Sequence, residues 1–210
     1  MQRGRGLYRL LAGAHFYLWF QNFLATARSI WVDIRQSHLG QLPENPRVLD
    51  IGCGPGTFLV QGHLVVKESD FTGIDPSADY IESARDNFPG AHFHLGTVSD
   101  VTLPSNHFDL VVLGGVLHHL DDQSADQALA FARDKLKPGG LAISVDPVLF
   151  RGQNAIAWVL AKLDRGMFVR HLGEMKQRWL SSWPDDSVSY EIQHDYLRLP
   201  YNHIVVVGKK

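Results

Sequence analysis

Residues 48–57 of the chain read Val48-Leu49-Asp50-Ile51-Gly52-Cys53-Gly54-Pro55-Gly56-Thr57. The first four residues are apolar apart from Asp50, which is typical of a buried strand, and the glycines after them indicate a tight turn into a helix. Glycine is needed where the backbone takes strained angles, or where a ligand lies against the main chain with no Cβ between them. The stretch therefore predicts a small-molecule site at the carboxyl end of a strand.

The spacing of these glycines separates two classes of ligand. A dinucleotide fingerprint requires G-x-G-x-x-G, whereas here the glycines fall at 52, 54 and 56, and Thr57 stands where the last one would be. The pattern therefore disfavours a pyrophosphate binder, and with it a nucleotide-dependent oxidoreductase. We also predict that any side chain at Gly52 or Gly54 obstructs the ligand.

A second predicted strand ends in a carboxylate. Residues 71–74 are followed by Asp75-Pro76, and Asp75 lies 19 positions beyond Gly56. An acid at this place suits hydrogen bonds from both hydroxyls of a ribose. The alternative is a helix cap, because Asp before Pro commonly starts a helix. Its position at the end of the second strand favours ligand binding.

Short apolar runs alternate with helical segments through the middle of the chain. The expected strands are 47–51, 71–74, 92–95, 108–113 and 141–145, with a terminal pair at 188–192 and 204–207. Between the fourth and fifth strands, residues 125–136 show one apolar helical face, and Pro138-Gly139-Gly140 is expected to stop that helix. The alternation predicts a Rossmann-like, doubly wound α/β fold. Its seven-stranded sheet is mostly parallel, with helices on both faces and an antiparallel last strand.

Both ends of the chain add helical segments to this pattern. Residues 1–42 are aromatic-rich with apolar residues at helical spacing, and prolines then break the pattern just before the first strand. We predict an amino-terminal helical appendage at 1–42, or a cap over the binding site of the substrate that accepts the transferred group. The domain at 43–210 is expected to bind the cofactor and to contain a helical insertion at 151–187, with 152–179 helical. The amino-terminal apolar stretch imitates a signal peptide, but Arg9 and His15 interrupt it.

Composition narrows the class of protein. Lys and Arg total 20 against 22 for Asp and Glu, so no basic excess favours nucleic acid as a partner. No apolar stretch approaches the length of a transmembrane helix, so stable membrane insertion is not expected. The single cysteine, Cys53, fits a reducing compartment. We expect a cytoplasmic protein that acts on a small molecule, and the oligomeric state stays open.

Four segments in order resemble class I S-adenosylmethionine (SAM)-dependent methyltransferases. They are Leu49-Asp50-Ile51-Gly52-Cys53-Gly54-Pro55-Gly56, then Gly73-Ile74-Asp75, then 103–112 with 117–120, and finally 136–140. The resemblance covers residues 45–150 and is nearest to the broad small-molecule group that includes ubiquinone and menaquinone methyltransferases. It implies methyl transfer from SAM to a small-molecule oxygen, nitrogen or carbon atom, with release of S-adenosylhomocysteine (SAH).

The resemblance also implies which residues contact the cofactor. The glycines line the methionine part of SAM with Asp50 near its amino group, and Asp75 takes the ribose. The acid that usually contacts adenine is replaced by Thr97, which can accept a hydrogen bond but lacks the charge, and Asp100 is a nearby substitute. The residues expected to bind the cofactor are Asp50, Gly52, Cys53, Gly54, Gly56, Thr57, Asp75, Pro76, Thr97, Val98 and Gly114.

His118 and Asp146 are the candidates for catalysis. Holding the two reactants in line supplies much of the acceleration of methyl transfer, so a base is optional. An acceptor that must lose a proton would benefit from a histidine, and His118 is the leading candidate. Adjacent histidines are also typical of helix caps, and their spacing from other residues does not indicate a metal site. Asp146 follows the fifth strand, where it either faces the acceptor or caps the next turn.

Other interpretations remain open at this level. Residues 164–171 place cationic and titratable groups together, which suits an anionic acceptor or a solvated loop. Residues 113–116 lack the acidic or amide side chain typical of enzymes that methylate nucleic-acid bases or glutamine. A non-catalytic SAM-binding regulator or partner subunit is the main alternative function, because the usual acid is missing at Thr97. Measured turnover would exclude it.

Overall fold

The computed structural model describes residues 30–60, 66–164, 166–194 and 200–210. Within these ranges the strands are β1 (Val48–Ile51), β2 (Phe71–Asp75), β3 (His92–Leu95), β4 (Phe108–Gly114), β5 (Leu136–Pro147), β6 (Val188–Gln193) and β7 (His203–Lys209). The α-helices are α1 (Ile30–Ser37), α2 (Thr57–Val60), α3 (Ala78–Asn87), α4 (Asp122–Lys135), α5 (Ala155–Lys162) and α6 (Leu172–Leu180). A 3₁₀ turn at Leu117–His119 follows β4.

The strands form one sheet in the order β3-β2-β1-β4-β5-β7-β6. The first five strands of the chain pair in parallel, whereas β7 runs antiparallel to both β5 and β6. The direction of winding reverses between β1 and β4. Doubly wound sheets bind ligands in the crevice that forms outside the carboxyl ends of two such strands. The predicted fold class is confirmed.

Helices cover both faces of the sheet. On one face, α1, α2 and α3 bury Ile34, Phe58 and Ile81 against the strands. On the other face, α4 and α6 bury Leu129 and Trp179. Burying a large apolar side chain contributes about 1.5–3 kcal/mol, so these contacts hold the strand ends in fixed positions. No helix in the described ranges is long and apolar enough to cross a membrane.

The predicted role of Pro138-Gly139-Gly140 as a helix stop is wrong. Helix α4 already ends at Lys135, and these residues lie inside β5. The pairing of β4 with β5 shifts from Phe108 opposite Leu136 to Leu110 opposite Leu141, so the extra residues form a bulge. Gly139 has φ 80° and donates its N–H to the carbonyl of Lys210 at 2.7 Å. The far end of the chain therefore stabilises this bulge.

The predicted helix at 152–179 is two helices separated by residues 163–171. The connection crosses over the turn after β4, and it passes so close that a Cβ at Gly166 would lie 2.1 Å from Cδ2 of His118. A new helix then begins at α6, where the N–H of His171 donates to Oε2 of Glu174 at 2.8 Å. The domain boundaries at 42 and 151–187 remain predictions. Residues 1–29 of the predicted appendage lie outside the described residues.

Candidate functional site

The turn after β1 holds three glycines in left-handed conformations. Their φ angles are 74° at Gly52, 55° at Gly54 and 82° at Gly56. The N–H groups of Gly52 and Cys53 donate to the carbonyl of Ile74 at 2.7 and 3.1 Å, which fastens the turn to β2. Because L-residues rarely adopt such angles, the glycines are required by the shape of the turn.

The surroundings of the three glycines differ. A Cβ at Gly52 would lie 2.5 Å from Cγ2 of Val116, and a Cβ at Gly56 would lie 2.9 Å from Cε2 of Phe88. At Gly54 the nearest atom would be Oγ1 of Thr57 at 3.6 Å, an ordinary contact. Packing inside the protein therefore demands glycine at 52 and 56, whereas a Cβ at Gly54 would be accommodated without a clash.

The carboxylate of Asp75 lies directly beside this turn. Its Oδ2 accepts the N–H of Gly54 and its Oδ1 accepts the N–H of Ser77, each at 2.9 Å. Burial raises the pKa of Asp75, while these two hydrogen bonds oppose the shift. The helix-cap alternative is wrong, because the side chain of Ser77 caps α3 by accepting from the N–H of Tyr80 at 3.4 Å. Each carboxylate oxygen keeps a lone pair for a further donor, and exposed Pro76 follows.

Two buried side chains lie under the turn. Asp50 is 4% exposed, and burial followed by repulsion from Asp75 raises its pKa to about 8. A cationic group beside Asp50 would restore its charged form, because an opposite charge favours ionisation. The Cys53 side chain packs towards Gly73, where a Cβ would lie 2.7 Å from its Sγ, and burial raises the pKa of the thiol. Cys53 therefore offers a ligand its backbone and no reactive thiol.

Thr97 and Asp100 meet in the loop after β3. The N–H and the hydroxyl of Thr97 both donate to Oδ2 of Asp100, at 2.8 and 2.6 Å, and these bonds lower the pKa of Asp100. Thr97, which stands at the position of the usual acid, is thus hydrogen-bonded to the carboxylate of Asp100. Val98 is half-buried and packs on the core below this loop. An acid is present at this end of the crevice although the local motif lacks it.

The exposed end of β4 is covered by a residue that sequence reasoning missed. A Cβ at Gly114 would lie 3.3 Å from Cζ2 of Trp31 in α1, and Trp31 in turn packs edge-to-face on Phe58 with ring centroids 5.2 Å apart. Helix α1 therefore places an aromatic ring at the switch point between β1 and β4. The aromatic composition of residues 1–42 was the available signal, but it did not single out Trp31.

His118 and Asp146 are brought together at the ends of β4 and β5. The Oδ1 atom of Asp146 lies 2.9 Å from Nδ1 of His118 and accepts the backbone N–H of His118 at 3.1 Å. Asp146 is fully buried, at 0% exposure. The alternative in which it caps the next turn is wrong, because it holds the turn that carries His118. Opposite Asp146, Nε2 of His118 lies 3.4 Å from Oδ1 of Asp164.

Asp164 has further partners that the sequence did not indicate. Its Oδ2 accepts the hydroxyl of Tyr201 at 2.5 Å, and its Oδ1 accepts the N–H of Gly166 at 2.6 Å. Burial, followed by the charge of Asp164, raises the pKa of Tyr201, so the hydroxyl keeps its proton. Three segments that are distant in sequence therefore meet at His118: the end of β5, the connection after α5 and the approach to β7.

Arg170 supports the same turn and does not face a ligand. It is 5% exposed, and its Nη1 and Nη2 donate to the carbonyls of Leu117 and Leu120, each at 2.7 Å. Its Nε and Nη2 also contact Oδ1 of Asp122 at 3.1 and 2.9 Å. The N–H donors of the guanidinium are thereby engaged in holding the 3₁₀ turn in place, and we call this arrangement the Arg170 clamp. Arg170 is therefore not part of a solvated loop, and its guanidinium does not bind an anionic acceptor. Arg165 lies outside the described residues.

A surface hollow of about 370 Å³ lies elsewhere on the sheet. It is lined by residues at or near the beginnings of β2, β3 and β4, among them Thr72, His92 and Phe108. The glycine-rich turn, Asp75 and His118 all lie near the opposite, carboxyl ends of strands. The hollow is therefore separate from the crevice predicted from the sequence.

Comparison with known proteins agrees with this geometry. A family model described as a methyltransferase domain matches residues 48–140, from the first residue of β1 to the bulge in β5. An uncharacterized methyltransferase of Schizosaccharomyces pombe is 33% identical over 113 residues, which are 49% of this chain and 40% of the relative. The dTDP-3-amino-3,4,6-trideoxy-alpha-D-glucopyranose N,N-dimethyltransferase of Streptomyces venezuelae is 30% identical over 134 residues, covering 63% of this chain and 55% of the relative.

A solved structure shares the fold over almost the whole chain. It is a SAM-dependent methyltransferase from Archaeoglobus fulgidus, with a TM-score of 0.69 and 17% identity, and the match covers 93% of this chain and 100% of that one. The chain spans about half or less of the length of the curated relatives it matches first. The methyltransferase-domain model thus matches the segment that contains β1 to β4, and the solved structure shares the fold.

Proposed function

We propose that the protein transfers a methyl group from SAM to a small-molecule acceptor and releases SAH. One observation carries the proposal: the carboxylate of Asp75, at the end of β2, accepts the N–H of Gly54 in the turn after β1, where a Cβ would meet no atom closer than 3.6 Å. A nucleoside with a short polar tail suits this arrangement, because the acid takes ribose hydroxyls and the bare backbone accommodates the tail.

Individual residues are proposed to hold the parts of SAM. Asp50 faces the ammonium group of the methionine part. Its buried carboxyl has a pKa of about 8, and a neighbouring cation would favour its charged form. Gly52, Cys53, Gly54, Gly56 and Thr57 contact the same part of the cofactor. Asp75 and Pro76 take the ribose. Thr97, with the attached Asp100, and the backbone of Val98 take the adenine, and Gly114 borders the methyl group.

When bound, SAM supplies a methyl group on a positively charged sulfur, and the protein has to present the acceptor in line with the breaking bond. The side of the crevice at the ends of β4 and β5 is proposed as the acceptor side, with His118 and Asp146 as its candidate catalytic groups. Trp31 borders Gly114 on the same side of the sheet edge.

A small molecule is proposed as the acceptor for two reasons. The chain has no basic excess that would favour nucleic acid. In addition, the relative from Streptomyces venezuelae is named for methylation of a nucleotide-linked amino sugar. A ubiquinone- or menaquinone-like acceptor is a hypothesis that rests on sequence resemblance alone. The cytoplasmic location proposed from the single cysteine has the same standing.

The experiment that tests this function measures methyl transfer directly. The purified chain is incubated with tritium-labelled SAM and the low-molecular-mass fraction of a cell extract, and both SAH and labelled product are quantified. We expect SAH and product to form together, and Asp75→Ala to abolish both. Binding of SAM without transfer to small molecules would contradict catalysis and would favour a regulator or partner subunit.

A further inference from the structure

The residues around His118 form a continuous row from the core to the surface. Asp146 contacts Nδ1 of His118 at 2.9 Å, and Asp164 lies 3.4 Å from Nε2 on the opposite side. The side chains of Asp146, His118 and Asp164 are 0%, 9% and 22% exposed, in that order. The outermost group of the row, and the one that a bound molecule can reach, is therefore the carboxylate of Asp164.

Neither ring nitrogen of His118 is directed at the place proposed for the methyl acceptor. Each faces a carboxylate oxygen, Nδ1 that of Asp146 at 2.9 Å and Nε2 that of Asp164 at 3.4 Å. Oδ1 of Asp164 also accepts the N–H of Gly166, and its Oδ2 accepts the hydroxyl of Tyr201. The carboxylate of Asp164 is therefore held by Gly166 and Tyr201, and it contacts Nε2 of His118 at 3.4 Å. In this arrangement both ring nitrogens of His118 are occupied by carboxylates of the protein, and neither is directed at the hydroxyl of an acceptor.

The charges nearby favour one class of acceptor. Arg170, a nearby cation, is committed to the carbonyls of the 3₁₀ turn and to Asp122. His203 is neutral near pH 7, because burial lowers its pKa to about 4. Among the described residues, Oδ2 of Asp146 and Nδ1 of His203 are buried with no hydrogen-bond partner. Two carboxylates, those of Asp146 and Asp164, flank His118, which disfavours an anionic acceptor and favours a molecule that brings N–H donors.

We infer that Asp164, assisted by Tyr201, binds the nitrogen of an amine acceptor, so that the protein is an amine N-methyltransferase. This inference rests on the proposed function and names the acceptor class for the same site. Gly115, the residue that follows β4, lies beside the ring of His118, since a Cβ there would lie 3.7 Å from Cε1 of that ring. His118 therefore lies between Asp164 and the residue that follows β4, near which the methyl group is proposed to lie.

The chemistry explains why a carboxylate suits an amine. The amine enters as the free base, its proton having been left in bulk water. Its lone pair forms the new N–C bond, the C–S bond breaks, and the electron pair of that bond stays on sulfur. The positive charge consequently moves from sulfur to nitrogen. A fixed carboxylate beside the nitrogen stabilises the charge that arrives there, and no base is needed in the step.

Asp164 is the catalytic residue in this scheme, whereas His118 and Asp146 are positioning residues. The buried carboxylate of Asp146 holds the ring of His118, and Nε2 of the ring fixes Asp164 from one side. The hydroxyl of Tyr201 and the N–H of Gly166 fix it from the others. A carboxylate that is already oriented does not have to reorganise as charge develops on the acceptor.

The test uses acceptors that differ only in the reacting group. Two matched sets are phenethylamine, 2-phenylethanol and 3-phenylpropanoate, and glucosamine, glucose and gluconate. SAH formation by the full chain is measured with each compound, and SAH binding is measured separately. We expect SAH formation with the amines to exceed that with the matched alcohols by at least about tenfold, and the carboxylates to be inactive.

Variants then assign the effect to Asp164. Asp164→Asn should lower amine methylation by at least about tenfold and leave SAH affinity within about twofold, because the charge is lost but the shape is kept. Tyr201→Phe should lower it by about threefold, and it serves as the second variant if Asp164→Asn fails to fold. Asp86→Asn, at an exposed position on α3, is the matched control and should change neither quantity.

A double variant tests the positioning role of His118. If His118 acts through Asp164, then His118→Gln combined with Asp164→Asn should be no slower than Asp164→Asn alone. Faster turnover of alcohols or carboxylates, no turnover of either amine while SAH binds, or unchanged amine turnover in Asp164→Asn would each overturn the inference. Failure of the wild-type chain to bind SAH would instead count against the proposed function.

Discussion

The carboxylate of Asp75 accepts the backbone N–H of Gly54 at 2.9 Å, which joins the end of β2 to the middle of the glycine-rich turn after β1. Two motifs that lie 21 positions apart in the chain are therefore parts of one surface. The contact also fixes the direction of the carboxylate, because Ser77 holds its other oxygen. Such a pre-oriented acid loses little conformational entropy when a ligand binds.

The glycines of the turn should respond differently to substitution by alanine. Gly54→Ala places its Cβ in ordinary contact with Thr57, so it should cost about 1–2 kcal/mol of unfolding free energy from the left-handed backbone alone and should weaken SAH binding strongly. Gly56→Ala has the same backbone strain and also meets Phe88, so it should unfold more easily than Gly54→Ala. Urea unfolding and SAH titration of both variants check this, and unimpaired SAH binding by Gly54→Ala would contradict the proposed position of the cofactor.

Asp50 should make the protein less stable as pH rises. Its pKa is about 8 in the folded state against 3.8 for the free side chain, so between these values the folded protein keeps a proton that the unfolded chain has lost. The free energy of unfolding should therefore fall with rising pH by up to about 1.4 kcal/mol per pH unit from this group. Asp50→Asn should flatten the fall. Urea unfolding between about pH 5 and 8 measures it, and equal slopes in both proteins would show that Asp50 is not buried in its protonated form.

The same carboxyl should release its proton when the cofactor binds. If the ammonium group of the ligand lies beside Asp50, the charged form becomes favoured, and up to about one proton should leave per SAH bound at pH 7. Calorimetric titrations of SAH in buffers of different ionisation enthalpy count this proton. Asp50→Asn, which has no proton to release there, is the control, and proton release that persists in this variant would exclude Asp50 as its source.

Arg170 should matter for stability more than its place in a connecting segment suggests. Arg170→Met leaves the carbonyls of Leu117 and Leu120 without their buried donor, and we expect a loss of about 2–4 kcal/mol. Arg133→Met on the exposed side of α4 is the matched control and should change stability by no more than about 0.5 kcal/mol. Equal effects of the two substitutions in urea unfolding would show that the Arg170 clamp contributes little.

Asp100 should supply the acid that the local motif lacks. Asp100→Ala removes the carboxylate bonded to Thr97, and SAH binding should weaken by about tenfold, as expected for the loss of a charge-assisted hydrogen bond. S-ribosylhomocysteine, which has no adenine, is the control ligand, and its binding should be unchanged. An equal loss for both ligands would place the effect of Asp100 on the loop itself and not on the adenine.

The sequence predicted the features that depend on local pattern. Alternation of apolar runs located the seven strands of the described residues, and the glycines located the tight turn that contacts Asp75, because strands and tight turns depend on neighbouring residues. The bulge at Gly139 was mistaken for a helix stop because its partner, Lys210, lies at the far end of the chain. A proline-glycine pair looks alike in both settings.

The groups around His118 were only partly predictable for the same reason. His118 and Asp146 follow strands and were identified from that position. Asp164 reaches the site because α5 ends at Lys162 and the connection after it passes over His118, and Tyr201 meets Asp164 from the approach to β7. Such contacts depend on tertiary packing and have no periodic signal. The loop at Thr97 shows the reverse case, since Asp100 lies three positions away and was recognised as a substitute.

The most direct test of the central claim is a calorimetric titration of SAH into the purified chain and into Asp75→Ala, with NADH as a control ligand. The account predicts that the wild-type chain binds SAH, that Asp75→Ala binds it at least about tenfold more weakly because two ribose hydrogen bonds to a charged group are lost, and that NADH does not bind. Absence of SAH binding to the wild-type chain, or equal binding by Asp75→Ala, would contradict the assignment of this crevice to SAM.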